Sequence, residues 1–269
     1  MELSFQNVDA FCARIELEQE RPVIALSQLE WIEPIAVIYL GQFLRYHNRS
    51  GKAFDVDPPR DEKVRKYLAR IRFWDRFNFS RDVVEKEGML RFTTPTSLNN
   101  IVELVPDTYI ADSTTCLVQE VLASSNVKVN ARAVLEAVGE LVDNFAQHAH
   151  VDLATLAVQY YPTRMEFAVA VGDSGWGIRR TLCENPEYAY LAERQHCEAI
   201  LKAFDPLVSR REYAGTGLTN VRDSVVQLGG SLRVASNDGF VYIESGKTLM
   251  GQQKYELPGV QIEVRFPEV

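Results

Sequence analysis

Glu140-Leu141-Val142-Asp143-Asn144-Phe145-Ala146-Gln147-His148 is the stretch on which the reading of this 269-residue chain turns. It closes a run with apolar residues at Ala133, Val134, Ala137, Val138, Leu141, Val142, Phe145 and Ala146. That three-and-four spacing predicts an amphipathic helix over about 130–148 with a wide buried stripe. Glu140 and Asn144 fall one turn apart on a single face, and His148 continues the row. A carboxylate, an amide and an imidazole beside a packed stripe suit a hydrated cation. Magnesium takes oxygen ligands and keeps several waters, so one Asn oxygen plus nucleotide phosphates suffices. A solvated polar helix edge is the plain alternative, and this stretch taken alone favours it.

Two stretches downstream change the balance. After two apolar runs comes Val171-Gly172-Asp173-Ser174-Gly175-Trp176-Gly177-Ile178, and later Tyr213-Ala214-Gly215-Thr216-Gly217-Leu218-Thr219-Asn220-Val221. Gly215-Thr216-Gly217 at a helix start is a phosphate site by geometry, because free N–H groups and the helix dipole both favour an anion; a simple loop-to-helix turn, which needs no ligand, is the alternative. A dinucleotide fingerprint is excluded, since Leu218 and Asn220 stand where more glycine is needed. In order and spacing the three stretches resemble the N, G1 and G2 boxes of the GHKL ATPase superfamily. That superfamily comprises gyrase-type topoisomerases, ninety-kilodalton heat-shock chaperones, histidine kinases and mismatch-repair ATPases. The resemblance runs from about Asn130 to the C-terminus and is nearest to histidine-kinase-like and anti-sigma-factor-type domains. It implies a Bergerat-type α/β sandwich that binds ATP with Mg2+.

The resemblance also implies roles. Asn144 matches the magnesium ligand. Glu140 matches the carboxylate that orients the attacking water as general base in the hydrolysing branches. Asp173 matches the aspartate that accepts a hydrogen bond from the adenine amino group; a buried carboxylate left unpaired by the wrong base is costly, which gives selectivity. Gly175 and Gly177 let the backbone pass close to the purine and hinge the lid. Gly215, Thr216, Gly217 and Leu218 are the expected phosphate contacts. His148 either reaches the phosphate side or caps its helix. Residues 178–213 are expected to form the ATP lid, with Arg179, Arg180, Arg210 and Arg211 as candidate γ-phosphate contacts or as a solvated charged face.

Composition narrows the function classes. A hydrophobic content of 46% with 25% charged residues is ordinary for a globular protein able to build a sizeable core. The net charge of -8 is unevenly placed: residues 1–92 hold 15 basic and 15 acidic groups, the remainder 14 and 22. An acidic second half argues against sequence-independent nucleic-acid binding, which needs clustered Lys and Arg. Cys12, Cys116, Cys183 and Cys197 lie far apart and form no CxxC pair, so reduced thiols are expected rather than a disulfide framework or a zinc site. No stretch reaches the roughly 18 apolar residues of a membrane span, and no signal-peptide pattern opens the chain. A cytoplasmic location follows as the expectation.

Residues 1–92 read as an alternating strand and helix unit. Pro22–Leu26 is a short strand, and the apolar run from Pro34 towards Tyr46 is a helix whose Pro34 suits a first turn. Ala53–Val56 is a second strand, and Asp61–Phe73 a second helix. Strands alternating with helices imply a parallel or mixed sheet with crossovers. This order resembles a STAS domain, the anti-anti-sigma fold. In partner-switching members a serine or threonine opens the first long helix and is phosphorylated; here Glu33, Pro34, Ile35 and Ala36 occupy those positions, and none carries a hydroxyl.

The division is therefore a STAS-like α/β domain over 1–92 and a GHKL histidine-kinase-like ATP-binding domain over 93–269. Within the latter, Ile101–Val105 is a strand, Asp112-Ser113 an N-cap, and Leu153–Tyr160 and Met165–Gly172 paired strands around Pro162-Thr163. The stretch 178–213 shows one helical pattern. Gly229-Gly230 stops the helix that follows Gly217, and strands Ser231–Ala235, Phe240–Glu244 and Val260–Phe266 close a mixed sheet covered on one side by helices. A sensor histidine kinase is set aside, because His47 is followed by Asn48 and no helical hairpin precedes the boxes. The expected function is an Mg-ATP-binding regulatory ATPase switch in signalling, acting through protein contacts. The alternatives are a serine/threonine kinase of the anti-sigma type acting on a separate STAS or sigma-regulatory protein, and a non-enzymatic interaction module. A homodimer is compatible with the sequence.

Overall fold

The computed structural model describes residues 1–77, 79, 101–104, 110–125, 127–148, 150–151, 153–206, 208 and 217–268. The expected loop Thr93–Ser97 and the boundary near residue 92 lie outside the described residues. So do Arg210, Arg211, Gly215, Thr216 and the His148 side chain.

The centre of the molecule is a five-stranded sheet made of β5 (Ile101–Leu104), β6 (Ala154–Tyr161), β7 (Glu166–Gly172), β8 (Ser231–Glu244) and β9 (Lys247–Pro267), in the order β5-β6-β7-β9-β8. Every neighbouring pair is antiparallel, which corrects the mixed sheet expected from the sequence. Short turns join β6 to β7 and β8 to β9, so successive strands pair directly and need no crossover. The strands expected at Ser231–Ala235 and Phe240–Glu244 are one continuous β8, with register shifts around Asn237 in place of a break. β9 is far longer than the expected Val260–Phe266.

One sheet face carries the large side chains Leu156, Val158, Val169, Val171, Val234 and Val264, and it is covered by helices. These are α5 (Ile110–Ser125), α6 (Ala131–His148), α7 (Ile178–Leu182), α8 (His196–Ala203) and α9 (Gly217–Gln227). Helix α6 buries Val134, Ala137, Val138, Leu141, Val142 and Phe145, as its spacing predicts, whereas Ala146 falls off the stripe and is exposed. Helix α5 starts at Ile110, so Asp112 lies inside it and is not its cap.

The second face is covered too, which is the larger departure from the expected one-sided sandwich. Alternation along the strands points small residues that way: Ala157, Ala170 and Ala235 join the core of the N-terminal half. Against them lies α2 (Pro34–Arg49), whose residues from Pro34 to Arg45 are all buried. A helix apolar all round belongs in an interior, and this one is sandwiched between the sheet and the rest of the N-terminal half. That half contains β1 (Glu2–Leu3), α1 (Val8–Cys12), β2 (Val23–Ala25), β3 (Trp31–Ile32), β4 (Asp55–Asp57), α3 (Glu62–Arg70) and α4 (Phe73–Arg76). β1 pairs with β3 and β2 with β4, both in parallel, so the crossover pattern read from the sequence is present as two separate pairs. Asp61 caps α3, accepting from the N–H groups of Lys63 and Val64.

A buried ionic cluster pins the two halves together. Glu33 and Glu263 share Arg233 and Arg265, at distances of 2.7 to 3.2 Å. The N–H of Ile35, in the first turn of α2, donates to Glu263 Oε1 at 3.3 Å, so a sheet carboxylate satisfies a helix N-terminus. Burial pushes Glu33 up, but Arg265 and Arg233 outweigh it and hold its carboxyl below the ordinary glutamate value.

Candidate functional site

The candidate site draws on α6, the turn after β7 and the start of α9, and the direct approach is that of α9 to α6. A Cβ added at Gly217 would stand 2.7 Å from Glu140 Oε2 and 3.3 Å from Asn144 Nδ2. Glycine is thus required for the first turn of α9 to lie against the polar row of α6. Residues more than 70 positions apart are brought together here, and they are the Glu140, Asn144 and Gly217 singled out from the sequence. Glu140 and Asn144 are both half-buried. The Asn144 amide nitrogen is buried without a hydrogen-bond partner among the described residues. An orphaned buried amide costs about 1–3 kcal/mol, and as an N–H donor this one suits an acceptor such as a phosphate oxygen, whereas the side-chain oxygen is the atom able to take a cation. The donor set, an amide and a carboxylate beside free helix N–H groups, fits a hydrated cation with phosphates.

Leu218 enters differently from the expectation. Its side chain is partly buried against the hydrophobic core. Thr219 Oγ1 and Arg222 Nη1 both donate to Phe204 O, at 3.0 and 3.1 Å, and fix α9 to the end of α8.

Asp173 sits at the end of β7 with its carboxyl buried. Oδ1 accepts from the Gly175 N–H at 2.8 Å, and the Asp173 N–H donates to Val260 O at 2.9 Å. Burial pushes the carboxyl up to about 7, against the lowering pull of backbone hydrogen bonds from Gly175 and Val260 and of the Arg49 guanidinium. A carboxylate deprived of water in this way gains most from a donor that enters its pocket.

Gly177 has φ +77° and caps α7. A Cβ there would overlap Asn237 Oδ1 and stand 2.9 Å from Ser236 Oγ, and that hydroxyl accepts from the Ile178 N–H at 2.9 Å. Between the two glycines, Trp176 stacks on His150 with ring centroids 3.8 Å apart, and Arg180 lies 4.0 Å from the same ring. Arg179 donates to Arg194 O at 2.7 Å. Both arginines of the expected lid that are described therefore have partners inside the protein.

The stretch 178–213 was expected to carry one helical pattern; it carries α7, a 3-10 segment over Pro186–Glu193, and α8. Leu182, Leu191, Ile200, Ala203 and Phe204 are buried in the main core, which ties down the first part of the expected lid.

Sequence reasoning missed the groups that hold the Asp173 turn from behind. Gly259 has φ +99°, and a Cβ there would overlap the Asp173 carbonyl and crowd Gly175 N at 2.7 Å. Gln261 Nε2 donates to Asp173 O at 2.9 Å. The Pro258-Gly259 pair was the available signal, since such a dipeptide inside a strand marks a bulge or a close backbone approach. In β9 it sits where the register with β8 shifts.

Among the described residues no cluster of His, Cys, Asp and Glu suits a metal held by protein side chains alone, and the cysteines are free. No described helix is long and apolar enough to cross a membrane. No curated protein matches the chain significantly. Residues 129–268 match the family described as histidine kinase-, DNA gyrase B-, and HSP90-like ATPase, a span that contains all three boxes and four of the five sheet strands, β6 to β9. The chain belongs to that family, the GHKL ATPases.

Proposed function

We propose that this protein is a regulatory Mg-ATP-binding ATPase, a slow switch that acts through contacts with a partner protein in signalling. The observation that carries the reading is the convergence at Gly217, which sets the first turn of α9 against Glu140 and the unpaired Asn144 amide. Asp173 accepts the adenine amino group, and its dry surroundings penalise a base without a donor there. Gly175 and Gly177 shape the turn beneath the base. The N–H groups of Gly215, Thr216, Gly217 and Leu218 receive phosphate oxygens, with the Thr216 hydroxyl as a further donor. Asn144 holds magnesium through its side-chain oxygen, and the ion supplies charge neutralisation at the phosphates. Glu140 acts as general base, taking a proton from the attacking water; His148, the next residue of that row in sequence, either reaches the phosphates or caps its helix.

In this reading residues 1–92 are a STAS-like regulatory part and 93–269 the ATPase part. Support for the first comes from the β2–α2–β4 crossover with its parallel pair. Support for a switch comes from the packing of α2 directly behind the Asp173 strand, where a change in the pocket meets the N-terminal half. A STAS or sigma-regulatory protein suits the partner role, and the location is cytoplasmic.

Calorimetric titration with magnesium, ATP against GTP, on wild type and Asp173→Asn tests the pocket. Selective ATP binding lost in the variant is the expected result; equal binding of GTP overturns the base assignment. Glu140→Gln is expected to keep ATP binding and abolish turnover, and unchanged turnover overturns the role of Glu140.

A further inference from the structure

Helix α2 ends at the base-reading turn. Ile38, Gln42, Arg45 and Arg49 are spaced four, three and four apart and so form one stripe along the helix. A Cβ on Gly172 would overlap Ile38 Cγ2. Gln42 Nε2 donates to Gly172 O at 2.9 Å and to Thr155 Oγ1 at 3.2 Å, and Arg45 Nη1 donates to the same hydroxyl at 2.6 Å. Arg49, the last residue of α2, donates from Nη1 to Ser174 Oγ at 3.1 Å. Gly172 and Ser174, on either side of Asp173, are therefore both held by α2.

We propose that Arg49 is a positioning residue of the nucleotide pocket: by fixing Ser174 and placing a positive charge behind Asp173, it lets the N-terminal half of the chain set adenine-nucleotide affinity. This rests on the reading of Asp173 as the base acceptor. Each element packed around Asp173 supports the assignment. α2 supplies the Arg49 guanidinium, the charged group that acts on the Asp173 carboxyl. The G1 turn supplies the neutral Gly175 N–H, and β9 supplies Gly259, Val260 and Gln261, all uncharged. A cation there favours the ionised carboxylate, the form that best accepts from an exocyclic amine. Linkage makes the effect reciprocal, so bound nucleotide also stabilises the end of α2.

The test is calorimetric titration of Mg-ATP between pH 6 and 8, with melting temperatures of the ligand-free proteins, on wild type, Asp173→Asn, Arg49→Ala, Arg49→Lys and Ser174→Ala. Arg49→Ala is expected to weaken ATP binding about fivefold at pH 7, the scale of one partly exposed charged hydrogen bond. It is also expected to move the pH midpoint of binding upward. Arg49→Lys keeps the midpoint because it keeps the charge, and Ser174→Ala loses affinity without moving the midpoint. Wild-type affinity and midpoint in Arg49→Ala, with Asp173→Asn still defective, overturn the role of Arg49 and leave the pocket assignment standing. A lower melting temperature with an unmoved midpoint also overturns it, since that outcome is packing alone. Wild-type binding by Asp173→Asn overturns the pocket assignment and this proposal with it.

Discussion

Nucleotide affinity should depend on pH through Asp173, and the size of the effect follows from its burial. The ligand-free carboxyl titrates at about 7 instead of 3.8 because the fold strips it of water. An adenine amino group donates to the ionised form, so binding drives off whatever proton Asp173 still carries. A group titrating near 7 is about one-eleventh ionised at pH 6 and ten-elevenths at pH 8, and apparent affinity should therefore rise roughly tenfold over that interval, or about 1.4 kcal/mol. Titration calorimetry in buffers of different ionisation enthalpy measures both quantities, the affinity and the protons released. Asp173→Asn is the internal control: it binds more weakly, and any pH dependence left in it belongs to the phosphates. The ligand-free protein supplies the opposite sign. The folded state keeps a proton that the unfolded chain gives up near 3.8, so stability falls as pH rises from that value to about 7. The ceiling on that loss is about 4 kcal/mol, and Asp173→Asn should remove it. Wild-type affinity that is flat from pH 6 to 8, with no proton released beyond the control, refutes the reasoning.

Three further outcomes follow from the packing. Gly217→Ala places a methyl 2.7 Å from Glu140 Oε2 and should lower kcat more than ATP affinity, measured by steady-state hydrolysis beside calorimetry; an equal loss in both would mean that the turn only binds. Gly172→Ala overlaps Ile38 on α2 and should cost about 1–3 kcal/mol in urea unfolding, with Ile38→Ala added to the same chain recovering part of the loss. Glu33 titrates below its ordinary 4.5, so its contribution is present above that value and is lost as pH falls through the lowered one. Glu33→Gln should cost about 3–5 kcal/mol near pH 7, because Glu263 alone is left to balance buried Arg233 and Arg265, and should flatten the acid limb of a stability-against-pH curve.

Local pattern made the nucleotide half readable and hid what lies behind it. The stripe of α6, the glycine turn after β7 and the glycine start of α9 are each encoded within about ten residues, so their periods and breakers were visible. The antiparallel sheet was not, because Asn237-Asp238-Gly239 looks like a loop and the arm 247–257 is interrupted by Gly251, Gln252, Gln253 and Lys254, which break its alternation of apolar residues. Helix α2 was legible as an apolar run, but the surface that covers it comes from strands more than a hundred residues away. Arg49 and Gln42 read as ordinary polar residues at a helix end, and their meaning lies in partners at Ser174 and Gly172. Asn144 and Glu140 were legible as a pair; that Gly217 closes on them is a fact of folding.

The bond from the Ile35 N–H to Glu263 spans 228 positions of sequence, and it bears on how the chain is made. Helix α2 leaves the ribosome early, with apolar surface on every side and its ionic partners not yet translated. At roughly 5–20 residues per second it waits about 10–45 seconds before β9 emerges to receive it. Through that interval Ile35, Ile38 and Glu33 have no native surface to meet, and a nascent chain in this condition is the kind that chaperones hold. Slowing translation between the two halves should lengthen the exposure and lower the yield of soluble protein, whereas supplying residues 1–92 as a separate, later chain should not rescue it.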